Sequence, residues 1–242
     1  MFTKWSNFAK PKQTRAKARV PGVGTLLGMT HARYGNLLTR REDTTLRKHS
    51  ASIGFRAKTA RAIAVALTHG SSTPIYLGRW EVALHDPHLP ATSQPHHEVM
   101  ELPWADAQSA VRPFERRIES VANEALARLQ AELRSKGFRV SGVGVVGSPD
   151  RALERIGNPH IRAHAAEGIL FRRVLEVAAS QHKLEWRSFS DRRFEEVIAS
   201  ELRRNPLEVK EALTAIGHVA GKPWRADERA AATAAWLMLE KT

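Results

Sequence analysis

The 242-residue chain predicts an α/β protein: a five-stranded mixed sheet, its first three strands antiparallel, flanked by helices. Three observations carry this. Three short apolar runs follow one another with only tight connections between them. After these, helical periodicity alternates with further apolar runs. With 42% hydrophobic and 26% charged residues, the chain can also bury a sizeable core.

The first two strands are Ser52 to Arg56 and Ala60 to Thr68, rich in Ile, Val and Ala and joined at Lys58-Thr59. Ile75 to Leu84 is the third, reached through His69-Gly70-Ser71-Ser72. A Pro- and His-rich loop covers Asp86 to Trp104. Val111, Phe114, Ile118, Val121, Leu126, Leu129 and Leu133 then recur at helical spacing, supported by the i,i+4 pairs Glu124/Arg128 and Glu132/Lys136 and stopped by Gly137. Phe138 to Val146 forms the fourth strand and ends in Gly147-Ser148-Pro149-Asp150.

Asn158-Pro159 supplies a cap and a first-turn proline for a helix that runs to about His182. Leu184 to Phe189 is the fifth strand. Helices follow over Asp191 to Arg203, over Pro206 to Val219 behind Asn205 with Glu208 in capping-box position, and over Asp227 to Leu239. Trp186 and Trp236 read as core residues.

Charge is unevenly spread. The net charge is +13, and residues 1–50 hold eleven bases against two acids, a net +9. A basic, largely extended arm over 1–50 therefore precedes a nearly balanced domain over 51–242. Such an arm suits a polyanion, because phosphate contacts by Lys10, Lys12, Arg15, Lys17 and Arg19 release condensed counterions, while Trp5 or Phe8 stacks on bases. Two other readings stay open: a solvated tail, and a targeting peptide, against which Pro11 interrupts the helix such a peptide needs. Met29 is an alternative start. The chain has no cysteine, which removes disulfides and thiolate chemistry, and its apolar runs fall far short of a membrane span. The expected compartment is the cytoplasm.

The order of elements resembles the ribonuclease H-like superfamily, and within it the RuvC-type Holliday-junction resolvases. Ile53-Gly54-Phe55-Arg56-Ala57-Lys58-Thr59 is similar to the resolvases' first strand and turn. Asn158 through Lys183 is similar to their long helix, and Ala226-Asp227-Glu228-Arg229-Ala230-Ala231-Ala232 to their last helix. The resemblance implies phosphodiester hydrolysis by carboxylates holding two Mg or Mn ions. It also implies where those carboxylates belong. The first position carries Arg56, with Lys58 close by; the second carries Gly147, with Asp150 three residues on; on the last helix Asp227 fits an outer position and Ala230 the inner one. A cation at the first position repels metal ions, so the two-metal centre is expected to be missing.

Chemistry then has to come from elsewhere. His160, His164 and Glu167 fall at offsets 0, 4 and 7 on one helix face, a set able to hold zinc or to serve as acid and base, or simply a solvated first turn. His85, His88, His96, His97, Glu98 and Glu101 crowd the loop region; a metal could gather some of them, but no spacing matches a closed metal site and a polar loop is the simpler reading. Gly142-Val143-Gly144-Val145-Val146-Gly147 matches the dinucleotide fingerprint in letters, but its valines belong to a strand, where glycines serve close backbone packing.

Two functions are therefore expected of a nucleic-acid-associated protein. One is a divergent metal-dependent nuclease with Glu167, Asp150, Asp227 and His164 as catalytic groups, and Glu167, Asp150, Asp227 and His160 as metal ligands. The other is an inactive scaffold that binds a nucleic-acid machine or an acidic partner. In either case Arg56 and Lys58 join the arm's lysines and arginines as expected nucleic-acid-binding residues, and the pairs Arg172-Arg173, Arg192-Arg193 and Arg203-Arg204 read as solvated faces or as an extension of the arm's phosphate track.

Overall fold

The structure, a computed structural model, describes residues 49–191, 194, 198 and 201–241. The expected arm and the phosphate contacts assigned to Lys10, Lys12, Arg15, Lys17 and Arg19 lie outside these residues, as does most of the helix expected over Asp191 to Arg203.

Among the described residues, five strands form one sheet: β1 Ser50–Lys58, β2 Arg61–Thr68, β3 Ile75–Ala83, β4 Arg139–Gly147 and β5 Glu185–Ser190. Their order is β3-β2-β1-β4-β5. β2 runs antiparallel to both β1 and β3, while β4 is parallel to β1 and to β5. This is the ribonuclease H-like arrangement that the element order implied. Among the described residues, four α-helices of continuous extent complete it: α1 Trp104–Ser135, α2 Pro159–Gln181, α3 Pro206–Ala220 and α4 Ala226–Leu239.

The two sheet faces bury separate cores. Ile53, Phe55, Val143 and Val145 meet Ile118, Leu126 and Leu133 of α1 and Phe171, Val174 and Leu175 of α2. On the other face Val65, Leu67 and Val146 meet Ala231, Ala235 and Trp236 of α4 and Leu213 and Ile216 of α3. The alternation along β1 assigns Ser52, Gly54 and Arg56 to the α4 side, and the Ser52 hydroxyl donates to the Ala235 carbonyl.

Several local expectations hold at atomic detail. The Asn158 side chain accepts from the Ile161 N–H at 3.0 Å, and Asn205 caps α3 through the Leu207 N–H at 2.9 Å. Lys136 reaches Glu132 at 2.8 Å, with Arg128 and Glu124 3.9 Å apart.

Other boundaries move. The first hairpin pairs Lys58 with Arg61, so Ala60 belongs to the turn, at φ 62°, and not to β2. α1 starts at Trp104, ahead of the apolar periodicity, and carries Pro113 on its exposed surface. Trp186 is 42% exposed and donates to the Ser180 hydroxyl; among the described residues β5 is an edge strand, paired with β4 alone. Trp236 is core, at 1% exposure.

Candidate functional site

β1, β3, β4 and β5 all run toward one end of the sheet, so the residues just beyond them gather there. On the α4 side of this end stands Arg56, whose side chain is 15% exposed. Its Nη2 lies 3.3 Å from Asp191 Oδ2 and its Nε 3.5 Å from Asp227 Oδ1, in the first turn of α4. Lys58 Nζ is 3.1 Å from the same Asp227 oxygen. Two cations and two carboxylates thus compensate one another where the resemblance implies metal-binding acids. Asp227 sits beside Arg56, and both carboxylates already carry Arg or Lys partners.

The second implied acid position is equally closed. A Cβ on Gly147 would fall 2.9 Å from the Cβ of Arg172, so the stem of that arginine fills the space. Arg172 is buried, and donates to Asp150 Oδ1 at 2.6 Å, to Glu176 Oε1 at 2.5 Å and to the Ser188 hydroxyl at 3.2 Å. Ser188 in turn donates to Glu176 at 2.6 Å. Asp150 is therefore the exposed outer member of an arginine network. The residues present do not fit a pair of magnesium or manganese ions: a guanidinium stands at the first position and an arginine stem abuts the second.

A different constellation forms on the α1/α2 side. His160 and His164 occupy successive turns at the start of α2, with their Nε2 atoms 3.2 Å apart. Glu167, one turn further, is completely buried. His97 comes from the loop after β3 and sets its ring edge-on to both helix histidines, with centroids 5.0 Å from His160 and 4.4 Å from His164. His97 Nδ1 lies 2.7 Å from Glu167 Oε1, which also accepts the His97 backbone N–H at 3.3 Å.

Of the acids and imidazoles singled out in the sequence, the structure brings together His160, His164 and Glu167. It leaves Asp150 and Asp227 in separate ion-pair clusters. Glu167 offers its oxygen to His97, and among the described residues His97, His160 and His164 are the group able to share an ion, with one nitrogen from each all within 4.8 Å.

The loop that delivers His97 is held by polar contacts. Asp86 Oδ2 accepts from Arg117 Nε at 2.6 Å, while its other oxygen accepts the His88 N–H at 2.8 Å. The Arg117 hydrogen bond, then the His88 N–H, holds the Asp86 carboxyl below its usual range. Fully buried Thr92 accepts from the Asp86 N–H and donates to the Leu89 carbonyl. Beside His97, burial and then the neighbouring imidazole push His96 down to about 4. Trp104 closes this segment beneath the Arg162 guanidinium.

Spacing along the chain singles out neither His97 nor Asp191. His97 was one of several histidines in a polar loop, and its selection depends on a contact across 70 residues of chain. Asp191 follows β5, and its pairing with Arg56 spans 135. The only local hint was the crowding of imidazoles and acids between 85 and 101.

No protein-family model and no curated protein matches the chain. Among solved structures it is similar to Thermus thermophilus RuvC in complex with Holliday junction substrate, at 13% identity over 78% of this chain and 92% of that one, with a TM-score of 0.44. A second Thermus thermophilus RuvC structure aligns at 13% identity over 77% and 92%, with a TM-score of 0.41. The yeast mitochondrial Holliday junction resolvase aligns at 12% identity over 85% and 87%, with a TM-score of 0.39. No helix among the described residues is long and apolar enough to cross a membrane.

Proposed function

We propose that this chain is a nucleic-acid-associated scaffold on a ribonuclease H-like frame, one that binds polyanions through its basic N-terminal residues and does not hydrolyse phosphodiesters at the β1/α4 position. The contact of Arg56 with Asp191 and Asp227 carries the reading. A guanidinium cannot lose its charge in a protein, so it occupies electrostatically the place a divalent ion would need. The uneven charge supports the other half: Lys10, Lys12, Arg15, Lys17 and Arg19 belong to a segment of net +9, suited to counterion release on a phosphate backbone.

A divergent phosphodiesterase is the second reading, favoured by the exposed His160–His164 pair beside buried Glu167. The scaffold reading expects log affinity for a random duplex to fall with log salt at a slope of about −4 or steeper, and removal of residues 1–20 to flatten it by several units. It expects no cleavage of branched, duplex or single-stranded substrates with magnesium or manganese. An unchanged slope after the deletion removes the arm from the function. Cleavage lost in Asp227→Asn or His164→Ala overturns the scaffold in favour of the enzyme.

A further inference from the structure

We propose that His97, His160 and His164 form a mononuclear site for a zinc-type divalent ion, with Glu167 as the carboxylate that positions His97. The proposal stands apart from nucleic-acid binding and uses the face of the sheet opposite Arg56.

Three features of the geometry point to an ion. First, one nitrogen from each ring lies within 4.8 Å of the others, and the His160 and His164 Nε2 atoms are 3.2 Å apart. Zinc–nitrogen bonds of 2.0–2.1 Å in a tetrahedron place two ligand nitrogens about 3.3 Å apart, so this pair already has the edge length of such a site.

Second, Glu167 orients His97 in the way that carboxylates orient metal-bound imidazoles. Its Oε1 at 2.7 Å accepts the Nδ1 proton, which leaves Nε2 as the lone-pair atom. That Nε2 is buried and has no hydrogen-bond partner among the described residues.

Third, Glu167 is completely buried, and its Oε2 also lacks a partner among the described residues. A carboxylate so placed is costly unless positive charge stands near it. Three neutral imidazoles leave a bound ion with its full double charge, one ring away from that carboxylate.

The donor set selects the ion class. Three imidazole nitrogens without a direct carboxylate suit zinc, cobalt or nickel and are poor for magnesium, manganese or calcium, which prefer oxygen. Since His160 and His164 are exposed, the fourth position opens to solvent and takes water or an anionic oxygen. Binding would also join the loop after β3 to the start of α2, adding to the Glu167–His97 and Trp104–Arg162 contacts.

The full chain, stripped with chelator and titrated with zinc alone in competition with a chromogenic chelator, is expected to take up about one equivalent, and cobalt(II) to give the intense visible bands of a tetrahedral site. His160→Ala and His164→Ala change exposed side chains and should each weaken zinc at least about 100-fold while metal-free thermal unfolding stays in place. Glu167→Gln should weaken zinc about 10–100-fold with the cobalt band shape retained, which a purely structural carboxylate would not do. Zinc affinity equal to wild type in His160→Ala or His164→Ala overturns the proposal, as does cobalt binding with only weak octahedral bands.

Discussion

Gly54 of β1 and Gly144 of β4 face each other across the parallel ladder, directly beneath Ala231 and Ala234 of α4. A Cβ on Gly54 would overlap the Ala231 carbonyl oxygen, and one on Gly144 would lie 2.6 Å from the Ala234 carbonyl oxygen. The paired glycines let α4 settle onto the strands backbone to backbone. That depth brings the first turn of α4, and with it Asp227, against Arg56. Sheet packing and the ion-pair cluster are thus one arrangement.

Gly144→Ala should therefore destabilise by about 1–3 kcal/mol, and Gly54→Ala by more, since neither backbone can yield without moving α4. Gly157 has nothing within 4 Å of its would-be Cβ, and Gly157→Ala should stay within about 0.5 kcal/mol of wild type. Urea midpoints of the three variants check this, and equal shifts at 144 and 157 would contradict the packing account.

Arg172 links the β4 terminus, α2 and β5 through Glu176, Ser188 and Asp150. Arg172→Leu leaves the buried Glu176 carboxylate without its cation and should cost about 3–5 kcal/mol. Asp150 is 67% exposed on its side chain, so Asp150→Ala should cost no more than about 1 kcal/mol. Combining Arg172→Leu with Glu176→Leu should recover part of the loss, because both charges then leave the interior. Denaturant unfolding of the single and double variants measures the coupling.

Asp86 gives the loop after β3 a defined response to acid. Its carboxyl is held low by the Arg117 hydrogen bond first and the His88 N–H second. A depressed folded value means that the group favours the native state above its unfolded pKa near 3.9, and that this contribution fades as pH falls through the folded value. Stability should drop below about pH 4, and Asp86→Asn should make that acid limb shallower while lowering stability at pH 7. Hydrogen exchange across 86–103, followed with pH in both proteins, provides the measurement. A limb unchanged by Asp86→Asn would show that other carboxylates govern the loss.

Much of the frame was legible from residue order. Apolar runs placed all five strands, and Asn158 and Asn205 marked two helix starts, because these signals are local and act within a few residues. Arg56 was also legible as a cation on β1, since strand position follows from the run that contains it. The exposed edge position of Trp186 was not, because the same alternation describes an edge strand and a central one. Nor was the start of α1, where Pro103 and Trp104 precede the periodic leucines and valines.

Residue order alone determined the alternation of strands and helices, the concentration of positive charge at the amino end, and the cation on β1. Only the tertiary structure decided which loop histidine meets the α2 pair, that Glu167 supports His97, and that Asp191 joins Asp227 at Arg56. The physical reason is reach. Capping, periodicity and charge density act between neighbours in sequence, whereas a ligand set or a buried ion pair is chosen by chain closure over 70 to 135 residues, and no spacing within one segment encodes that choice.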